Sequence, residues 1–381
     1  MRKAFILALA CIPVLCQVPY TPVYFIGTVA GSGPDNSQTG GYAGDGGPAG
    51  KALLNLPTSV GLDGEGNLYF CDWNARIRKV DARTGVVKTI AGIGQPGFSG
   101  DGGPAINAQL GGPGNILVDS AGDIYFADVY NHRIRHISAA THEIKTIAGN
   151  GSQMESPDGL LAVDTGISLG SGMAVDRAGN LYFPNGSDRV RRVSARTGIV
   201  STIAGAGGSR YSGDGGPATQ AQLDQPSSVA IDARGDIYIA ARGEHRIRKV
   251  DAETGIITTV AGSSPENASL MGIGVYQGGF AGDGGPATQA LLNDPEDITL
   301  DRAGNLYISD VFNYRIRRVD AHTGRIETIA GTGVRAFSGD GGLATKAEMT
   351  TPSGLVADFA GRIFFGDLFN QRIRVLVPTR F

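Results

Sequence analysis

The chain has 381 residues, enough for two or three ordinary domains, but 59 are glycine and only 18% are charged, which suits a turn-rich all-β protein. A net charge of −3 with no Lys/Arg block leaves no electrostatic footprint for nucleic acid. Regular Val/Ile/Tyr segments between the glycines argue against disorder.

Residues 1–16, MRKAFILALACIPVLC, have the form of a secretory signal: Arg2 and Lys3, then an apolar run from Ala4 to Leu15. Cleavage after Cys16 is expected, and a lipoprotein reading at Cys11 is weaker because only seven residues separate it from Lys3. The run is too short to span a membrane, so the expected location is secreted or periplasmic, with no transmembrane segment in the mature chain. Cys71 would then be the one remaining cysteine, which allows no internal disulfide. Residues 17–24 read as a linker, and 25–381 as one domain.

Within that domain a unit recurs, best seen in residues 213–262: a short helical turn, then four strands, SSVAID, DIYIA, RIRKV and IITTV. The second-strand aromatic marks the period: Tyr69, Tyr125, Tyr182, Tyr238, Tyr307 and Phe364, in steps of 56, 57, 56, 69 and 57 residues. Four short strands cannot bury both faces alone, so six units stacked radially predict a six-bladed β-propeller of four-stranded blades. Phe25–Gly31 matches a fourth strand before any first strand has appeared, and Arg372–Val377 is a third strand that no fourth follows. Pairing the two closes the ring and removes two open edges.

The first strand of each unit ends in Asp63, Asp119, Asp176, Asp232, Asp301 or Asp358, followed in most copies by Gly-Asn or Gly-Asp, which is hairpin-turn chemistry. The second strand runs into Asp72, Asp128, Asn185, Asp310 or Asp367, with Ala241 breaking the rule in copy four. Arg-Ile-Arg or Arg-Val-Arg follows, and the first arginine (Arg76, Arg133, Arg189, Arg246, Arg315, Arg372) is expected to pair with the strand-end acid. After the fourth strand come an aromatic and Asp-Gly-Gly-Pro-Ala, as in Tyr42 before Asp45. The Asp is expected to cap the turn, the Pro to sit at its first helical position and the aromatic to pack between blades.

The pattern GNLYISD…NYRIRRVD…TGRIETIAGTG resembles NHL repeats, with FSGDGGPA similar to a bacterial extracellular version, over residues 25–377. The resemblance implies a six-bladed propeller and no single activity, since NHL propellers include RNA-binding, protein-binding, sensor and amidating-lyase members. Copy three departs most, with Ser156-Pro-Asp-Gly-Leu160 and Pro184-Asn185.

In such a blade the loop entering strand one and the loop between strands two and three share a face. That face collects Trp73, Tyr130, Phe312 and Phe369, together with an insertion at 263–279 that contains Leu270, Met271, Ile273, Val275 and Tyr276. Glu296, Asp297 and Asn115 lie near the channel entrance and form the best candidate for a lactonase-like hydrolase or lyase with a metal at its mouth. The preferred expectation is a binding or scaffold module for a protein or cell-surface carbohydrate, monomeric, using Trp73, Tyr130, Tyr276, Glu296, Asp297, Phe312 and Phe369. No cofactor is expected. Carboxylate density leaves calcium as an alternative, although no EF-hand spacing is present, and the five scattered histidines make zinc weaker. His132 and His245, equivalent in copies two and four, read as surface residues.

Overall fold

A computed structural model of the chain describes residues 22–33, 40–208, 210–263, 266–267, 275–276 and 278–379, of which 266–267 and 275–276 are described in backbone only. The proposed signal peptide and most of the linker therefore lie outside the described residues, as do Leu270, Met271 and Ile273 of the insertion.

Six four-stranded antiparallel sheets form the blades of a β-propeller. Blade one consists of Ser59–Leu62, Leu68–Asp72, Arg76–Val80 and Val87–Ala91. Blades two to five repeat that order, except that the first strand of blade three shrinks to Ala174–Val175. Blade six takes Pro352–Ala357, Ile363–Asp367 and Arg372–Pro378 from the end of the chain and Tyr24–Ala30 from its beginning. The closing pair is antiparallel, with Tyr24 opposite Pro378 and Gly27 opposite Val375. Ring closure by the two ends is as expected, and the strand starts at Tyr24, one residue into the anticipated linker.

The hairpin turns form as the residues dictate. Asp63 accepts hydrogen bonds from the amides of Glu65 and Asn67 and from the Tyr69 hydroxyl, with Gly66 at φ +82°. Alternating apolar residues such as Phe70, Ile77 and Val87 are fully buried, and the core runs as clusters between successive blades.

The Gly-Asp-Gly-Gly-Pro-Ala segment is the joint between blades, and here three expectations are corrected. The turn is a 3-10 helix, Ala49–Lys51, with Pro48 at the N-cap rather than inside it, and no side chain caps it. The segment straps onto its own blade through Ala49 N to Gly85 O and Val87 N to Gly47 O. The Ala49 carbonyl accepts the amide of Gly31 from the neighbouring blade, and Gly92 bonds Ala105 in the same way. Gly92 has φ +89°, and a Cβ there would stand 2.2 Å from the Ala75 carbonyl oxygen, so only glycine fits.

The segment's aspartate does not cap the turn. Asp45 receives the Arg78 guanidinium at 2.7 Å and the Thr89 amide at 2.8 Å. Arg78 is the second arginine of its strand, fully buried, and it also reaches Asp72 at 3.3 Å. Arg135, Arg317 and Arg374 repeat this bridge between two acids. The pairing of third and fourth strands shifts register here, with Ile77 opposite Ala91 and Arg78 opposite Thr89, so the extra residue, Ile90, lies on the fourth strand, and the equivalent shift recurs in the other blades. The first arginine, expected to make this pair, instead lies on the loop aromatic: Arg76 over Tyr42, Arg133 over Phe98, Arg246 over Tyr211, Arg315 over Phe280 and Arg372 over Phe337, at 3.8–4.0 Å. Those aromatics stack on guanidinium at the rim rather than packing between blades.

Candidate functional site

The loops between second and third strands rise on one face. In blades two, five and six each is a three-residue 3-10 turn closed by a left-handed residue: His132 (φ 49°), Tyr314 (φ 50°) and Gln371 (φ 55°). This geometry lifts the middle residue of the turn, leaving Tyr130 65%, Phe312 56% and Phe369 47% exposed. Trp73, from blade one, meets Tyr130 edge to face with ring centroids 5.6 Å apart. Gly112 sits beneath them at φ +71°, where a Cβ would come within 2.9 Å of the Tyr130 ring. The Arg335 guanidinium lies 5.0 Å over Phe369. Of the residues expected here, the structure brings Trp73 and Tyr130 together, and Phe312 and Phe369 share their face. The side chain of Tyr276 lies outside the described residues.

Blades three and four break this pattern side by side. Gly186 and Gly243 stand at the aromatic positions. Blade three also lacks the rim aromatic, and Arg189 pairs with Glu155 at 2.5 Å instead. The result is an open polar groove of about 670 Å³, lined among others by Gln153, Glu155, Ser171, Ser187, Gln225 and Arg242. The Arg242 Nε is bonded to Asp294 of blade five, whose own amide donates to His245 Nδ1 at 2.9 Å, so His245 is more than a surface residue. Sequence reading missed these groove residues. The available signal was two adjacent repeats that each lose both an aromatic and a strand-end acid.

The three polar residues expected at the channel separate. Asp297 and Asn115 line a central cavity of about 230 Å³. Glu296, beside it in a register shift of the same strand, meets Ser171, a groove residue whose hydroxyl donates to it at 3.1 Å. Burial raises the Glu296 carboxyl above its usual range, against the pull of Arg242. Asp297 acts as a staple between blades. Its oxygens accept from Ser228 Oγ of blade four and the Leu355 amide of blade six, each at 2.5 Å, and burial pushes its pKa up to about 6. Among the described residues no three His, Cys, Asp or Glu side chains converge to hold a metal ion. The strand-end and Gly-Asp-Gly acids are engaged by arginine.

The Ala241 exception in blade four resolves in the same terms. Glu244, three residues on, is fully buried, accepts the Asp224 amide at 3.0 Å and meets Arg248 at 3.2 Å. It replaces the missing acid from a different chain position. Burial pushes its pKa to about 7, opposed by Arg248.

The profile of the Teneurin NHL domain matches residues 206–271. Mouse (Mus musculus) Teneurin-3 is 28% identical over 362 residues, covering 87% of this chain and 12% of the relative. NHL repeat-containing protein 2 of Bos taurus is 26% identical over 278 residues, covering 66% of this chain and 37% of the relative. The chain spans about a quarter or less of the length of the first curated relatives it matches. Among solved structures, an auxiliary nutrient binding protein from Bacteroides ovatus superposes with TM-score 0.65 at 17% identity, over 95% of this chain and 78% of that one. Fold and repeats together define an all-β, six-bladed propeller class. The profile match and these relatives support an NHL-repeat family for this chain. Among the described residues no helix is long and apolar enough to cross a membrane.

Proposed function

We propose that this propeller is a secreted or periplasmic binding module that recognises a cell-surface carbohydrate with the face bearing the loops between second and third strands. The observation that carries this reading is the division of that face. Exposed aromatic rings occupy blades five, six and two, half-buried Trp73 of blade one meets Tyr130 edge on, and a groove of hydroxyl, amide and charged groups occupies blades three and four. Aromatic faces offer an apolar platform with little rotamer entropy to lose, and convergent polar groups fix the orientation of a hydroxyl-rich ligand. A protein partner remains the other outcome to test, since exposed aromatics also anchor protein interfaces.

The test uses purified cell-envelope polysaccharides titrated against the wild-type protein, a Trp73→Ala/Tyr130→Ala double variant and a Gln153→Ala/Gln225→Ala double variant. Each variant should lose about tenfold or more in affinity, roughly 1.4 kcal/mol, with an unchanged melting temperature. Absence of polysaccharide binding by the wild-type protein, or equal binding by all three, rejects the reading.

A further inference from the structure

We propose that blade three holds a monovalent anion of the halide class between Asn185 and Arg191. The argument starts from a position shared by the blades. The strand-end acid spends one oxygen on a backbone amide 17 residues earlier: Asp72 on Asn55, Asp310 on Asn293, Asp367 on Thr350. Its second oxygen meets the buried arginine at 3.2–3.3 Å. In blade three Asn185 Oδ1 accepts the Ser168 amide at 2.9 Å, so the amide occupies the same place. Its Nδ2 therefore stands where the other blades carry the second carboxylate oxygen.

Asn185 is fully buried and Arg191 is 2% exposed. Asn185 Nδ2 and Arg191 Nη1 have no hydrogen-bond partner, although Arg191 Nη2 bonds Asp158 and the Ser156 carbonyl, each at 2.7 Å. Rotating the amide by half a turn does not help. It would turn Oδ1 to the guanidinium but set Nδ2 against the Ser168 N–H. Either way two donors face each other, and an electron-rich atom between or beside them resolves the conflict.

Charge selects an anion. Arg78, Arg135, Arg248, Arg317 and Arg374 each touch two carboxylates, whereas Arg191 touches one. An anion at Asn185 restores the second negative charge that a buried guanidinium has in the other blades. Burial favours a small, monatomic one, because the partnerless donors of Asn185 and Arg191 are closed off from solvent. The site lies under the polar groove. Ser168 and Gly186, both groove residues, are tied to each other by Gly186 N to Ser168 O at 2.8 Å, and Ser168 to Asn185 as above. The anion thus orders the groove floor.

The experiment is a crystal of the wild-type chain soaked in sodium bromide and measured at the bromine edge, beside an Asn185→Asp variant that supplies the charge covalently. An anomalous peak within hydrogen-bonding reach of both Asn185 Nδ2 and Arg191 Nη1, absent in the variant, is the expected result. In solution, at constant ionic strength, bromide at about a hundred times its Kd should raise the wild-type folded-to-unfolded ratio about a hundredfold. The variant should melt higher than wild type without bromide and respond little to it. An ordered water with no anomalous signal at that point overturns the proposal. So does an equal bromide response in both proteins.

Discussion

At the scale of single residues, the channel-mouth carboxylate Asp297 is the most informative. The sequence reading put it near the channel entrance, and it lines the central cavity. Its bonds to Ser228 and Leu355, however, make it a link between blades four, five and six. Its pKa of about 6 lies above the unfolded value of about 3.9, so the unfolded chain loses this proton first. The stability tied to this group is therefore present at low pH and falls as pH rises from about 4 to about 6, staying low above that. The slope is about 1.4 kcal/mol per pH unit, roughly 3 kcal/mol in all. Asp297→Asn keeps the shape, with one oxygen for the Leu355 amide and an amide that can donate to Ser228. Wild type should lose stability relative to this variant across that window when both are unfolded in urea at a series of pH values. Parallel curves would show that Asp297 stays ionised in the fold.

At the scale of an element, the loop between the second and third strands shows how one repeat can lose a conserved chemical function from one position and recover it at another. Glu244→Ala should cost about 3 kcal/mol or more, because it leaves the buried Arg248 with Asp214 alone. The double variant Ala241→Asp/Glu244→Asn recreates the Asp310-x-x-Asn313 arrangement of blade five, where Asn313 Nδ2 donates to Asp310 at 2.8 Å. Urea denaturation should show most of that loss restored. If the double variant is no more stable than Glu244→Ala, the acid in this loop does not serve the arginine. The acid's absence at Ala241 was legible in the sequence. Its replacement by Glu244 was not, because a longer side chain reached the same point from a different residue, and repeat alignment compares positions rather than end points.

At the scale of the whole molecule, stability depends on closing the ring. The N-terminal strand does more than fill an edge. Ile26 exchanges backbone bonds with Gly341 and Gly342, the Thr28 hydroxyl donates to Asp340 at 2.6 Å, and the Tyr24 and Tyr307 hydroxyls meet at 3.1 Å in the core. It therefore receives the blade-six strap as the other fourth strands receive theirs. Removing residues 24–30 opens both the strand Arg372–Pro378 and the strap, and should lower the melting temperature by more than about 10 °C, as losses of several kcal/mol do, or drive aggregation through the free edge. A truncated chain that stays monomeric with an unchanged melt would mean that the ring does not need its N-terminal strand.

The sequence by itself determined the period, the blade count, the Asp-Gly turns and the joining of the two ends, because each rests on local chemistry repeated six times or on a count of strands. It also placed Trp73, Tyr130, Phe312 and Phe369 on one face, since the order of strands and loops is enough for that. Only the tertiary structure decided which arginine is buried. The second guanidinium, Arg78, reaches Asp45, which is 33 residues away, while Arg76 on the same strand lies on the Tyr42 ring, and neither partner is set by the local repeat. The tertiary structure also separated Glu296 from Asp297, because both sit in a register shift of their strand and only the packing of blades three to six shows what each meets. The polar groove left only an indirect trace in the sequence, two adjacent repeats without their aromatics, because its walls come together from two blades only in the fold.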